Sequence, residues 1–368
     1  MLRQSENTQT LQRLVLTSLL LAIVVIGLGA YTRLTHAGLG CPDWPTCYGL
    51  INVPVTSAEI AQAEHAFPLR PVEPAKAWNE MIHRYFAASL GLFIAVITFL
   101  SIKLRYAKQS VVKYPVFLPL CILIVVIFQA ALGMWTVTLK LMPIVVMAHL
   151  LGGFTTLCLL FLLYLRLATK DKAANQSTVH AKELTKDKYN DTQSTGVPLK
   201  KYSRYALLGI AILTAQIALG GWTSSNYAAM SCVELPICQG DWLSELTFKQ
   251  SFDLLPPHKD SYEFGHLNHN ERVTIHVTHR LGAIITSIFL AWLTIMVLLN
   301  STTYAIKRTA MALLSILVIQ ISLGVSNIWF SLPLEVAVAH NLVAAFLMLS
   351  LITLAYKLRQ YSKGSFYE

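Results

Sequence analysis

Five of the eleven histidines, His83, His149, His276, His279 and His340, fall in or at the edge of long apolar runs. Ionisable side chains at such depth are costly, face the interior of a helix bundle and mark functional sites. His149 lies six residues beyond Pro143, the outer end of its run, roughly 9 Å deep at 1.5 Å per residue. Two opposed imidazoles with no carboxylate or thiolate beside them suit the axial positions of a haem iron. A zinc site would take three or four ligands. A single buried imidazole could equally hydrogen-bond a neighbouring helix, but four in matching places argue for ligation, His83 with His149 and His279 with His340.

Glu80 stands three residues before His83. Positions i and i+3 share a helix face, so the carboxylate is expected to address the same space as the ring. Beside an iron-bound macrocycle it would transfer a proton or stabilise a developing cation; its bland role would be a solvated helix start favoured by the macrodipole. Three residues before His279 the chain carries His276 instead, expected at the outer aqueous rim. This asymmetry predicts chemistry in one half and electron relay in the other. Arg84 and Arg280 directly follow ligand candidates. Together with Arg33 they are candidate contacts for haem propionates, and snorkelling to headgroups stays open. Trp44 and Trp135 fit an interfacial aromatic belt.

Four of six cysteines form two pairs, Cys41/Cys47 and Cys232/Cys238. Each pair encloses five residues, a spacing suited to a disulfide-closed loop and not to a redox CxxC. Structural bridges are expected, with a pair that cycles during turnover as the other reading. Cys121 and Cys158 lie within apolar runs and read as packing residues.

The elements that must position these groups are membrane spans. The chain is 55% hydrophobic and only 13% charged, with mean hydropathy +0.54, about half the charge of a soluble domain. That excludes a soluble enzyme and a disordered chain. The net charge of +10 does not mark a nucleic-acid binder, because the cations lie between apolar runs and report orientation. Eight runs reach the roughly 20 residues a span requires, at about 14–32, 82–102, 115–138, 143–165, 204–224, 273–299, 309–330 and 333–356. The first, from Leu14 to Tyr31, is too long for a signal-peptide core and is expected to be retained. Twenty of the 29 Lys and Arg fall in the segments on one side, so both termini are expected in the cytoplasm. The cysteine pairs then lie in outer loops, where disulfides persist.

The chain also repeats itself. Gly29-Ala-Tyr-Thr32 aligns with Gly220-Gly-Trp-Thr223, Cys41 and Cys47 with Cys232 and Cys238, Gln129-Ala-Ala-Leu-Gly133 with Gln320-Ile-Ser-Leu-Gly324, and His149 with His340, each at an offset of 191 positions. His83-Arg84 aligns with His279-Arg280 at 196. The expected fold is therefore an all-α integral membrane protein with eight transmembrane helices in two duplicated four-helix bundles. The division is residues 1–167, a disordered cytoplasmic linker at 168–201, and residues 202–368. Each bundle begins and ends inside, so the copies are parallel repeats about an axis along the membrane normal.

Taken together, these residues resemble the haem A synthase family of membrane enzymes, which convert haem O to haem A for terminal oxidases. The resemblance spans essentially the whole chain, including Gly29-Ala-Tyr-Thr-Arg33, Glu80-Met-Ile-His83-Arg84, His149, His279-Arg280, His340 and the loop cysteines. It implies that His279 and His340 bind a haem B cofactor in the C-terminal half. It also implies that His83 and His149 hold the haem O substrate in the N-terminal half, with Glu80 as the catalytic carboxylate. Oxidation of one porphyrin methyl to a formyl group would be the reaction. The implied partners are haem O synthase, the cytochrome oxidase assembly machinery, an electron donor the sequence does not name, and the lipid of the inner membrane. A homo-oligomer stays open. Two readings compete: a dihaem electron-transfer cytochrome, which leaves the Glu80/His276 difference without purpose, and a haem transporter, which predicts no change in the pigment. A membrane thiol oxidase is a distant third because the cysteine spacing is wrong.

Overall fold

A computed structural model describes residues 2–107, 114–183, 199–235, 238 and 242–362. The described residues form helices and turns, with one isolated antiparallel bridge between Cys47 and Leu50. Ten helices follow in order: α1 Leu2–Leu34, α2 Ser57–Ala66, α3 Pro74–Arg105, α4 Phe117–Thr138, α5 Pro143–Glu183, α6 Lys200–Ser225, α7 Phe248–Ser251, α8 His269–Asn300, α9 Tyr304–Trp329 and α10 Leu334–Tyr361. All but α2 and α7 are long and apolar enough to cross a membrane. Even the shortest, α4 with 22 residues, reaches roughly 33 Å at 1.5 Å per residue, enough for a hydrocarbon core of about 30 Å.

Local signals set the helix starts. Pro74 and Pro143 stand at the first helical position of α3 and α5, where a missing N–H costs nothing. Asn268 and Glu271 form a capping box that starts α8, and Thr56 with Glu59 does the same for α2. The starts of α3 and α8 lie outside their apolar runs. His83, expected at the opening of its span, therefore sits well inside α3, because a polar first turn extends the helix outward from the bilayer. The expected disordered linker is also corrected in part. Helix α5 runs unbroken to Glu183, since extending a formed helix through Ala, Lys and Gln costs little. Residues 184–198 of that linker, and Lys108, Lys113 and Lys363 of the charge count, lie outside the described residues.

Side chains from all eight long helices build one continuous apolar core, from Leu11 and Val15 through Leu157, Leu160 and Leu163 to Leu290, Leu313 and Leu354. Outward, α3 and α8 present Leu92, Ile285 and Ile288 with more than half their surface exposed, as lipid-facing positions should.

The turns recur with the sequence. Non-glycine residues with positive φ include His36 (53°) and Tyr227 (55°), Lys140 (50°) and Ser331 (58°), and Leu141 (63°) and Leu332 (62°). Each pair differs by 191 in residue number. The hydrogen bonds that close the turns match too, Ala37 N to Thr32 O and Ala228 N to Thr223 O, both 2.9 Å. A left-handed conformation is uncommon for such side chains, so its recurrence in matching places is not a product of helix geometry alone.

Candidate functional site

Each of the four candidate rings comes from a long helix and abuts a glycine on the adjacent one. A Cβ added at Gly29 would stand 3.0 Å from Cε1 of His83; at Gly133, 3.5 Å from His149; at Gly220, 3.2 Å from His279; at Gly324, 3.2 Å from His340. At Gly29, Gly220 and Gly324 a side chain would crowd the imidazole by a few tenths of an ångström, whereas at Gly133 it would make an ordinary contact. The rings of His83 and His149 face each other with centroids 6.4 Å apart and planes at 83°. Two imidazoles that share one metal ion through bonds of about 2 Å have centroids roughly 6 Å apart. The spacing therefore fits axial ligation. By strict hydrogen-bond geometry Nδ1 of both rings is buried without a partner, with the backbone of Val25 beside His83 and that of Gln129 beside His149. His279 and His340 stand on α8 and α10, which pack in the second half on α6 and α9. Among the described residues, no group of three or more His, Cys, Asp or Glu could hold a metal ion.

Glu80 is 5% exposed, so it is not a solvated helix start. Its Oε2 accepts from the backbone N–H of Cys41 at 2.9 Å, and its Oε1 accepts from Nη2 of Arg84 at 2.5 Å. The Cys41 loop comes this close because Gly40 lies flat on α3, where a Cβ would stand 2.6 Å from the Lys76 carbonyl. Arg84 also donates to the carbonyls of Asp43, Pro45 and Thr46. The bridge Cys41–Cys47 closes that loop, and Cys232–Cys238 closes its counterpart. Cys121 and Cys158 are free.

The second half keeps the arginine and changes the acid. Arg280 donates to the carbonyls of Cys232 and Glu234 at 2.6 and 2.8 Å. His276, expected at the aqueous rim, is 4% exposed and its Nδ1 lies 2.9 Å from the Ala228 carbonyl. The N-terminus of α8 extends outward past it, which draws it below the loop. Arg33 leaves its own half: Nη1 donates to the Tyr227 hydroxyl at 2.6 Å and Nη2 to the Ser224 carbonyl at 2.7 Å. The three arginines proposed to meet propionates thus also tie loops and halves together.

The profile of the COX15-CtaA family, cytochrome oxidase assembly protein, matches residues 12–352. The chain belongs to this family. The heme A synthase of Shewanella oneidensis is 45% identical over 339 residues, covering 92% of this chain and 94% of that protein. Those of Allorhizobium ampelinum (27%, covering 92% of this chain and 88% of that protein) and Chelativorans sp. (26%, covering 88% and 84%) are more distant but nearly as extensive. The membership takes in both halves and all four rings. Sequence reading did not name Gln216 and used Gln320 only to mark the repeat; their side-chain amides lie within hydrogen-bond distance of His279 and His340. The signal was present: Gln-x-x-x-Gly occurs at 129–133, 216–220 and 320–324, each time on the helix whose glycine receives a ring.

Proposed function

We propose that this membrane enzyme of the COX15-CtaA family is a haem A synthase, a haem-dependent oxidoreductase that converts a methyl group of haem O to the formyl group of haem A for terminal oxidases. The observation that carries this reading is its nearly full-length similarity to a heme A synthase, at 45% identity. The constant offset and recurring turns support two duplicated four-helix bundles, residues 1–167 and 202–368, joined through 168–201. His279 and His340 hold a haem B cofactor in the second bundle, and His83 and His149 hold haem O in the first. When bound, the cofactor supplies one-electron chemistry.

The chain's own residues then do three things. The imidazole pairs set the depth of each macrocycle, with the glycines admitting the rings. Glu80, one turn from His83 on α3, carries the negative charge or proton acceptor for the reacting side of the substrate, in surroundings of low dielectric where that charge acts strongly. Arg84 and the Cys41 N–H fix one carboxylate oxygen each, so the group is pre-oriented. The charge bias supports cytoplasmic termini, and this reading takes the membrane to be the inner one, with the site in its outer half. Haem O synthase, the oxidase assembly machinery and an electron donor are the partners this activity needs.

The test is Glu80→Gln. General acid–base or charge-stabilising groups contribute about 10²–10⁴-fold, so haem A formation should fall by that order while haem spectra persist, read by extraction and mass analysis of bound pigments. Unchanged haem A output would reject the role of Glu80; pigment leaving unaltered from the unsubstituted protein would reject the enzyme.

A further inference from the structure

At the helix ends opposite the disulfide loops, the two halves meet again through matched residues. Nε2 of Gln360 on α10 donates to Oγ1 of Thr169 on α5 at 3.4 Å, and the two are counterparts 191 positions apart. Oγ1 of Thr169 also lies 3.2 Å from the Tyr356 hydroxyl. Beside this contact is a cavity of about 310 Å³ lined by Pro115, Arg166, Leu167, Thr169 and Tyr356, at the small end of ligand-sized pockets. The halves use their matching cation differently. In the second half Lys357 donates to the Ala305 carbonyl at 3.1 Å and to the Thr309 hydroxyl at 2.7 Å, at the start of α9. Arg166 takes its place in the first half, where Leu118 replaces Thr309. There α4 starts at Phe117, the match of Arg308, whereas α9 already starts at Tyr304; Pro115 disfavours helical backbone at Tyr114. Arg166 is exposed and, among the described residues, makes no hydrogen bond or ion pair. The chain carries no Asp or Glu between Lys103 and Thr169, nor on α10 beyond Glu335.

A free guanidinium beside hydroxyls in the last turns of its span suits a phosphate group. Tyr356 can turn its O–H to the same group, because Gln360 already donates to Thr169. A second cavity, of about 180 Å³, lies between α5, α6 and α10 and is apolar, with Leu159, Ile210, Met348 and Ile352 in its lining. Met348, Ile352 and Tyr356 follow one another at four-residue steps on α10, and Thr155, Leu159 and Arg166 at steps of four and seven on α5. Both cavities therefore share one face of each helix, with Leu159 and Arg166 roughly 10 Å apart along the axis. Basic pockets between helices at a bilayer surface take anionic lipid headgroups. We propose that this end of the seam binds an anionic phospholipid, its phosphate on Arg166 and Tyr356 and an acyl chain in the apolar cleft between the halves. The lipid replaces the contact that Lys357 makes for itself in the second half and clasps the two halves together.

The experiment uses the full-length protein, purified with its pigments, delipidated in dodecyl maltoside and titrated with dioleoyl phosphatidylglycerol in mixed micelles. The lipid should raise the thermal unfolding midpoint saturably, and native mass spectrometry should show a single molecule per chain. Arg166→Gln should weaken binding about 5-fold, the contribution of one interfacial cation, and Arg166→Lys should recover much of it. Arg308→Gln removes an exposed cation at the start of α9 and should leave the affinity unchanged. Equal weakening by Arg308→Gln would reduce the effect to general surface attraction and overturn the site. Glycerol phosphate or inorganic phosphate raising the midpoint as far as the lipid would mark a free-phosphate site and overturn the lipid. Dioleoyl phosphatidylcholine binding as tightly would overturn the anionic headgroup. No saturable shift, or one that Arg166→Gln leaves intact, overturns the whole proposal. If Arg166→Gln does not fold, Tyr356→Phe, which removes only a hydroxyl, should weaken binding about 3-fold; unchanged affinity there counts equally against the site.

Discussion

Glu80 and Arg84 make one ion pair with two purposes. Their side chains are 6% and 13% exposed, and a buried carboxylate stripped of its partner is costly, about 3–5 kcal/mol. Arg280 occupies the matching place, and among the described residues its hydrogen bonds go to backbone carbonyls, whose loss costs about 1–3 kcal/mol. Arg84→Leu should therefore lower the thermal unfolding midpoint clearly more than Arg280→Leu, measured on purified protein. Equal shifts would mean that Glu80 finds another partner. The same asymmetry explains why residue type mattered here: Glu80 and His276 stand in matching places, one bonded to an arginine and a loop N–H, the other to a carbonyl.

Among the elements, the disulfide loops carry the most specific consequence. Residues 41–47 lie over α3 with Tyr48, Val53, Ala63, Ala77 and Met81 in a small apolar cap, and the loop lends its first N–H to Glu80. Closing seven residues removes denatured-state entropy equivalent to about 2 kcal/mol. Cys41→Ser with Cys47→Ser should destabilise by about that amount and reduce haem A formation about 10-fold, through a Glu80 less firmly oriented, a loss comparable to a mispositioned catalytic group. Complete loss of activity with unchanged stability would instead favour a bridge that cycles during turnover. Comparing unfolding midpoints with product yield separates the two.

At the scale of the whole molecule, the halves meet at a seam of matching residues. His36 stacks on Tyr227 with centroids 5.7 Å apart and planes at 7°, and these two residues are each other's counterparts at the offset of 191. Arg33 lies 4.0 Å over the Tyr227 ring. Farther along the outer face, Arg70 pairs with Glu263 at 3.0 Å. Partial burial, and then the charge of Arg33, lower the proton affinity of His36 below its ordinary value of 6.5. A histidine whose folded pKa is lowered costs nothing above the unfolded pKa. Below it the unfolded chain binds more protons, so stability falls with pH. The thermal midpoint should therefore drop as pH falls below 6.5, and His36→Gln should flatten that drop. His266, lowered by burial, adds a slope of the same sign, so the flattening is partial. An unaltered slope in His36→Gln would remove the seam from the account.

Much of this was determined by the sequence. Eight spans follow from apolar length, because a bilayer demands internally satisfied helices of one minimum reach. Four rings and their glycines follow from a repeat that survives in rare residues. Glu80 could be singled out because position i+3 places it by His83. Tertiary structure alone decided the rest, because those contacts join residues far apart in the chain and depend on side-chain direction. Burial of Glu80 and His276, the commitment of Arg84 and Arg280 to loop carbonyls, and the reach of Arg33 into the other half are of this kind. The amides of Gln216 and Gln320 sat in a visible motif. Their contact with His279 and His340 became legible only when packing set α6 beside α8 and α9 beside α10, since helix periodicity states which residues share a face and not which ring waits across the gap.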